Sequence, residues 1–356
     1  MISRALFLNF LTFALLISGS AGALQAKEPN VVVTIKPLHS LVAGVMQGVG
    51  SPYLLLKGAA SPHHFQLKPS DARRLHKADL IVWVGPELET PLKKIVSSLS
   101  QPKASFPLLK LSSLTLRKFE SPHDHEGEAH ETAHHDDHDH DKKKDDHKGH
   151  DHHDGHEHGK KKDSHDDHDK KKDAHNEHEH HDHSGGIDPH IWLSLDNAIA
   201  ITKAIKTKLS ELYPVHKATF EKNAMAQVKQ IEALQASYKK RLSHLKGQNF
   251  MVFHDAYGYF TDSYGFKALG ALTLNPSVSP SAKHLRELRS KLLKDKVVCV
   301  FAEPQYNQKI ITSLVSGTTV KTALLDAVGV KIPAGPKAYS SIVSNLAANF
   351  ERCLAP

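Results

Sequence analysis

One segment of this chain, from residue 120 to residue 183, holds 20 of the 29 histidines. The histidines alternate with aspartate, glutamate and lysine, and almost no apolar residue interrupts them. Such a segment cannot bury enough apolar surface to offset the conformational entropy lost on folding, so we expect no ordered fold there. Imidazole and carboxylate groups are ligands for zinc, copper and nickel, and most imidazoles are unprotonated at neutral pH. The composition therefore indicates metal binding, and the alternative is a solubilising linker.

The first 26 residues have the pattern of an export signal. Arg4 precedes an apolar run from Ala5 to Ile17 that is too short to span a bilayer, and small residues follow the run. We expect cleavage after Ala26, with Ala23 as the alternative. No later segment is long and apolar enough to cross a membrane, so the mature chain is predicted to lie outside the cytoplasm.

The two cysteines, Cys299 and Cys353, are consistent with export. An oxidising compartment favours one disulfide between them, which would close a loop of roughly 55 residues. The alternative is a pair of separate buried thiols.

Charge is divided unevenly between the histidine-rich segment and the rest of the chain. The segment carries 22 acidic residues against 10 lysines, whereas the whole chain has a net charge of +7. The remainder is therefore strongly basic, which is a property of many nucleic-acid-binding proteins. Export and the lack of an aromatic–basic recognition motif argue against a nucleic-acid partner.

Outside the signal and the histidine-rich segment, about 265 residues alternate between strand and helix patterns, enough for two lobes. Short apolar runs predict strands at 31–35, 53–57, 80–84, around 106, 249–253, 267–274, 297–302 and 320–325. Apolar residues at helical spacing lie between most of these runs. This alternation is typical of parallel sheets covered by helices, so we predict an α/β fold.

A long helix pattern runs from about Val215 to Leu245 and separates the two groups of strands. About thirty residues at 1.5 Å each make a rod of about 45 Å, which is long enough to join two lobes. We therefore predict one α/β lobe at 27–212 that contains the insert at 120–183, a rigid linking helix at 213–246, and a second α/β lobe at 247–356.

Three helix starts are predicted from their first residues. Ser70 and Asp196 are expected to cap the helices that follow them, and Pro86 is expected to open a helix that runs to about Leu99.

Three histidines outside the insert lie where a predicted strand or the insert ends. His63 follows the second strand, His190 follows the insert, and His254 follows the strand at 249–253. In open α/β sheets, ligands bind beyond the carboxyl ends of the strands. Three neutral imidazoles from separate segments make a nitrogen site that suits zinc, with a water or a carboxylate completing the tetrahedron.

Other polar residues near these segments are weaker candidates. His39 follows the first strand, and His64 is expected to face away from its neighbour His63. Asp255 either orients an imidazole or caps the next helix. The remaining histidines are expected on polar helix faces at the surface: His76, His216, His244 and His284.

Several segments resemble the zinc-specific substrate-binding proteins of bacterial ABC uptake transporters, a cluster that also serves manganese and iron. The resemblance rests on GAASPHHFQLKPSD, ADLIVWVGPELE, DPHIWLS, MVFHDAYGYF and CVFAEPQ, and it covers nearly the whole mature chain. It implies two α/β lobes joined by a rigid helix, with zinc held in the cleft between them. It also implies a periplasmic location and delivery of zinc to the membrane permease of an ABC transporter.

The resemblance carries over to individual residues. It implies that His63, His190 and His254 are the zinc ligands, and that Cys299 and Cys353 form the disulfide of the carboxyl-terminal lobe. Manganese-type relatives have a glutamate at the third histidine and an aspartate in a later loop, which here reads EPQYNQ. Three histidines therefore favour zinc.

The fourth zinc ligand is left open. Some zinc-binding members have a glutamate immediately before the first ligand histidine, where this chain has Pro62. Water is the first choice for the fourth position, and Glu303 or a histidine of the insert are the alternatives.

Two other functions compete with zinc capture. A zinc hydrolase also uses three histidines and a water. However, the sequence has no H-E-x-x-H motif on a predicted helix and no nucleophile elbow, so we predict a monomeric binding protein and not an enzyme. In a metal buffer, the insert would do most of the binding and the lobes would only display it.

Overall fold

The computed structural model describes residues 28–99, 104–119, 186–274, 276 and 278–355. The predicted export signal at 1–26 and the histidine-rich insert at 120–183 lie outside these residues. Within the described part of the chain, none of the helices has the length and apolar character needed to cross a lipid bilayer.

The chain before the insert forms a four-stranded parallel sheet with the strand order β2-β1-β3-β4. Its strands are β1 (Val31–Val33), β2 (Tyr53–Leu54), β3 (Leu80–Trp83) and β4 (Ser105–Pro107). Its helices are α1 (Lys36–Val45), α2 (Pro69–Lys77) and α3 (Lys93–Ser97).

Two long helices, α4 (Leu195–Leu212) and α5 (Lys217–Arg241), follow the insert, and a second parallel sheet comes after them. This sheet has the order β6-β5-β7-β8. Its strands are β5 (Phe250–His254), β6 (Gly270–Thr273), β7 (Cys299–Ala302) and β8 (Lys321–Leu324). Its helices are α6 (Gly258–Tyr264), α7 (Ala282–Lys294), α8 (Lys309–Val315) and α9 (Ala338–Leu354). The predicted α/β fold with two parallel sheets is confirmed, and each predicted strand is present.

The first sheet is buried on both faces. Val31 and Val33 contact a large apolar cluster that includes residues of α1, α4 and α5. Val32 belongs to a separate cluster with Leu75 of α2. Because alternate residues of a strand face opposite sides, both faces require apolar side chains. This burial explains why the strands of the sequence appear as continuous apolar runs.

Helix α5 contacts both halves of the molecule. Near its start, the Asn223 side-chain amide donates to the carbonyl oxygens of Val45 and Gln47, at 3.0 and 2.8 Å. Near its end, the Tyr238 hydroxyl lies 2.8 Å from the Ser344 hydroxyl of α9. The helix has 25 residues, or about 37 Å at 1.5 Å each. It is shorter than the predicted 45 Å because 3₁₀ turns replace regular helix at both ends.

All three predicted helix starts are wrong in detail. Helix α2 begins at Pro69, so Ser70 lies in its first turn and not at the cap. Proline is favoured at the first helical position because it has no N–H to leave unpaired. Helix α4 is capped by Ser194, whose hydroxyl accepts from the Asn197 N–H at 3.2 Å, and Asp196 lies in the first turn.

The helix predicted to open at Pro86 begins later, at the 3₁₀ turn of residues 90–92. The buried carboxylate of Glu89 bonds the residues that follow β1 and β3. It accepts from the Thr34 hydroxyl at 2.5 Å and from the N–H groups of Val84 and Gly85 at 3.2 and 3.0 Å. The backbone makes one helix-type turn after Pro86, in which the Glu89 N–H donates to the Gly85 carbonyl at 3.0 Å, before the 3₁₀ turn begins.

We expect Glu89 to make the stability of the metal-free protein depend on pH. Burial raises the pKa of Glu89 from 4.5 to about 7. The hydrogen bonds that the carboxylate accepts lower the pKa, but burial outweighs them. The folded state therefore binds a proton more tightly than the unfolded state, so this stabilisation is complete below pH 4.5 and is lost as pH rises through about 7. Relative to Glu89→Gln, the wild type should lose up to about 3 kcal/mol of unfolding free energy between pH 4 and pH 8.

Urea unfolding at several pH values measures this difference. Glu232→Gln, at an exposed position on α5, is the matched control and should keep the wild-type pH dependence. Equal pH slopes for wild type and Glu89→Gln would contradict the expectation.

The predicted disulfide is confirmed. Cys299 of β7 is bonded to Cys353 of α9, with the two Cα atoms 5.9 Å apart. The bond ties the last helix to the second strand in from the edge of the second sheet.

Candidate metal centre

Three imidazoles meet at one point of the molecule. The ligand nitrogens of His63, His190 and His254 all lie within 4.8 Å of one another. The Nε2 atom of His190 is 3.2 Å from the Nε2 atom of each of the other two. With Zn–N bonds near 2.05 Å, two nitrogens of a tetrahedral zinc site are about 3.3 Å apart. Two of the three nitrogen pairs thus already have the spacing that zinc requires.

Each imidazole comes from a different part of the fold. His63 lies in the loop between β2 and α2, His190 immediately precedes the 3₁₀ turn at Ile191–Leu193, and His254 is the last residue of β5. His190 and His254 are buried, and His63 is partly exposed. The structure brings together the three histidines that the sequence places at strand ends and at the insert.

Asp188 holds His190 from behind. Its Oδ1 atom lies 2.7 Å from the His190 Nδ1 atom and accepts the His190 backbone N–H at 3.0 Å. When Nδ1–H donates to this carboxylate, the proton is on the far nitrogen and the lone pair of Nε2 faces the other imidazoles. The ring of Trp192 packs against the same imidazole, with centroids 5.4 Å apart.

Glu303 contacts His254 in the same manner. Its Oε1 atom lies 2.5 Å from the Nδ1 atom of His254, and both residues are buried. This oxygen therefore contacts the nitrogen that points away from the cluster. Two of the three imidazoles consequently have a carboxylate on Nδ1 and turn Nε2 toward the centre.

The environment keeps one imidazole neutral and favours a proton on another. Burial lowers the pKa of His190 well below 6.5, and the nearby charges of His254 and Arg117 lower it further. Burial also opposes the charged form of His254, but Glu303 outweighs it and the pKa rises above 6.5. Burial raises the pKa of Asp188 to about 7. Of these two imidazoles, His254 is therefore the one at which a proton competes more strongly with a metal ion.

Asp188 and Arg117 are the contributors to the site that sequence reasoning missed. For Asp188 a signal existed, because a carboxylate two residues before His190 is well placed to bond its imidazole. Arg117 donates to Asp188 across 71 residues of sequence, and nothing local marks it. The sequence makes Asp255 a candidate orienting carboxylate, but the bonds to Nδ1 of His190 and His254 come from Asp188 and Glu303. Asp255 lies 4.0 Å from Arg117.

The other histidine candidates lie outside the cluster. His39 is buried, and its Nε2 atom is 3.0 Å from the Pro52 carbonyl oxygen. His64 is exposed, as expected from its position next to His63. His76 and His244 are exposed as well, whereas two residues expected at the surface are half-buried: His216 and His284.

Comparison with known proteins covers almost the whole chain. The family model described as the periplasmic zinc-uptake complex component A matches residues 31–353. The high-affinity zinc uptake system protein ZnuA of Brucella suis is 39% identical over 349 residues, covering 97% of this chain and 98% of the relative. The protein of the same name from Yersinia pestis is 33% identical, covering 91% of each chain.

Solved structures share the fold. The periplasmic zinc-binding protein TroA of Treponema pallidum superposes with a TM-score of 0.67 at 19% identity, covering 93% of this chain and all of the other. A crystal structure of ZnuA gives a TM-score of 0.66 at 19% identity, covering 92% of this chain and 100% of that chain. The arrangement of two parallel α/β sheets is thus common to all three chains.

Proposed function

This chain belongs to the family of the periplasmic zinc-uptake complex component A, and we propose that it captures zinc at His63, His190 and His254 and delivers it to the permease of an ABC transporter. It is a periplasmic zinc-uptake protein and not an enzyme, and zinc is its cargo. The observation that carries the ligand assignment is the convergence of three Nε2 atoms, with two of the separations at 3.2 Å.

Zinc is held by the Nε2 atoms of the three imidazoles, while Asp188 and Glu303 keep the Nδ1 protons on the far side. We assign the fourth position to water. Glu303 is the less favoured choice because its Oε1 atom contacts Nδ1 of His254, on the far side of the ring from the ligand nitrogen. A histidine of the insert remains the third option. Three imidazoles without a carboxylate favour zinc over manganese, which prefers oxygen ligands.

We propose that zinc joins two lobes, with boundaries at 27–212 and 247–356 and a linking helix at 213–246. His63 and His190 belong to the first of these ranges and His254 to the second, so binding draws a ligand from each side. Helix α5 contacts both sides and restricts how far they separate. One chain supplies all three imidazoles, which supports a monomer as the active form.

The histidine-rich segment at 120–183 is proposed to gather zinc with lower affinity than the three-histidine site. Support comes from the residues at its two ends: the Phe119 N–H donates to the Gly186 carbonyl at 2.9 Å, and Lys118 pairs with Ile187. These ends lie within a few residues of His190. A tethered set of weak ligands raises the local concentration of zinc near the site to which it is attached.

Deleting residues 120–183 tests how zinc binding is shared between the histidine-rich segment and the three-histidine site. The deletion leaves Ser184 and Gly185 between Phe119 and Gly186, a length that suits a two-residue hairpin turn. Competitive titration with a chelator of known affinity should find one tight zinc site in the deleted protein and several additional weaker sites in the intact chain. The weaker sites should weaken further as pH falls through about 6.5, because protons compete for imidazole.

A full-length variant with asparagine in place of the segment's histidines is the matched control, since it keeps chain length and acidic charge. Zinc uptake by cells that have the permease but lack their own capture protein then tests delivery. The deleted protein should support uptake at moderate zinc and lag behind the intact chain when a chelator makes zinc scarce. Loss of the tight site on deletion would instead support a metal buffer, and unchanged stoichiometry would make the segment a linker.

A further inference from the structure

Arg117 lies among three carboxylates beside the metal centre. Its Nη1 atom is 3.3 Å from Asp188 Oδ2, and its Nε atom donates to Asp262 Oδ2 at 3.0 Å. The Oδ2 atom of Asp255 lies 4.0 Å from Nη1. The Asp188 side chain is fully buried, whereas Asp262 is half exposed. The guanidinium therefore joins a buried carboxylate to one at the surface.

The backbone around Arg117 is also held. Its N–H donates to the Tyr259 hydroxyl at 2.9 Å, and its carbonyl accepts the Asp188 N–H at 2.8 Å. The Tyr259 hydroxyl in turn donates to the Asp188 carbonyl at 3.0 Å. The guanidinium lies against Gly258, where a Cβ atom would be 2.2 Å from Cζ of the arginine. Any side chain larger than glycine at that position would displace the arginine.

The contacts of Arg117 continue to a zinc ligand. Arg117 donates to Oδ2 of Asp188. The other oxygen, Oδ1, is 2.7 Å from the imidazole Nδ1 of His190 and accepts the His190 backbone N–H at 3.0 Å. A carboxylate held at both oxygens has a fixed plane, so the imidazole that it bonds is also fixed. The other arm of Arg117 reaches Asp262 on α6, the helix that follows His254.

We propose that Arg117 is a positioning residue for the zinc site. It holds the Asp188–His190 pair so that Nε2 of His190 faces the metal, and it ties this pair to helix α6 beside His254. The inference rests on the proposed role of the three histidines as zinc ligands. It adds to that role a residue that touches none of the ligand nitrogens and lies just before the histidine-rich segment. Arginine suits this place because its planar fork reaches two carboxylates at once, which a lysine does not.

Three variants separate the two arms of Arg117. Arg117→Gln removes both, Arg117→Lys keeps the charge without the fork, and Asp262→Asn removes only the α6 arm. Removal of a group that orients a metal ligand typically weakens metal affinity 10–100-fold, and we expect about this loss for Arg117→Gln. Arg117→Lys and Asp262→Asn should lose less.

The measurements are zinc affinity by chelator competition, the visible absorption of the cobalt-substituted protein, and the melting temperature of the metal-free protein. The cobalt spectrum reports ligand geometry. If the ion pairs of Arg117 only stabilised the fold, their removal would leave this spectrum unchanged. Arg241→Gln is the matched control, because Arg241 forms a forked ion pair with Glu351 between α5 and α9. It should keep the wild-type zinc affinity and cobalt spectrum.

The proposal is overturned if Arg117→Gln binds zinc like the wild type, or if its cobalt spectrum is unchanged and its affinity loss is matched by Arg241→Gln. These outcomes differ from failure of the proposed function, which the histidine variants report. If His190→Ala abolishes tight binding and Arg117→Gln does not affect it, the zinc site stands and the role of Arg117 is rejected. If His190→Ala binds as tightly as the wild type, the proposed function itself fails.

Discussion

Replacing His190 or His254 with alanine should weaken zinc binding by more than about a hundredfold, beyond the loss typical of residues that only orient a ligand. Each substitution removes one of three nitrogen donors and leaves two. It also removes one hydrogen-bond partner from a buried carboxylate: Asp188 in the case of His190, and Glu303 in the case of His254. His63→Ala should weaken binding as well, because it removes the third nitrogen donor.

Chelator competition on the insert-deleted protein measures this effect without the background of the weaker sites. His64→Ala is the matched control, since His64 is the exposed neighbour of His63 and should leave zinc affinity unchanged. The metal-free variants should retain the circular dichroism spectrum of the wild type. A histidine whose replacement leaves tight binding intact is not a ligand.

Removing the disulfide should lower the unfolding free energy of the metal-free protein by about 4 kcal/mol. The bond joins residues 54 apart, and a loop of that length loses about this much entropy-derived stability on the chain-entropy model. Cys299 and Cys353 are both buried, so the double alanine variant avoids the added penalty of burying two hydroxyls.

Denaturant unfolding of the double variant, with and without a reducing agent, measures the contribution of the bond. The reducing agent should destabilise the wild type to nearly the level of the variant and leave the variant unchanged. Labelling of the denatured, unreduced wild type should detect no free thiol. Two reactive thiols, or a stability difference below about 1 kcal/mol, would contradict the expectation.

The strands were predictable because the physical signal is local. Neighbouring residues of a buried parallel strand face two different apolar clusters, so each residue of the strand must be apolar. The run Val31, Val32 and Val33 shows this pattern directly in the sequence. Helix ends were less predictable because several residues compete for the same capping role. Ser194 caps α4 and Asp196 does not, although both side chains are able to accept a hydrogen bond there.

The α/β pattern and the three histidines that meet at the centre were predictable from residue type and from position relative to strand ends or the insert. The disulfide was predictable because an exported chain with two cysteines favours their pairing. The folded chain was needed to show which nitrogen of each imidazole faces the centre, and that Glu303 lies behind His254. It alone revealed Asp188 and Arg117 as the support of His190. The reason is physical: Arg117 and Asp188 are separated by 71 residues, and their contact forms only when folding brings the two ends of the insert together beside α6.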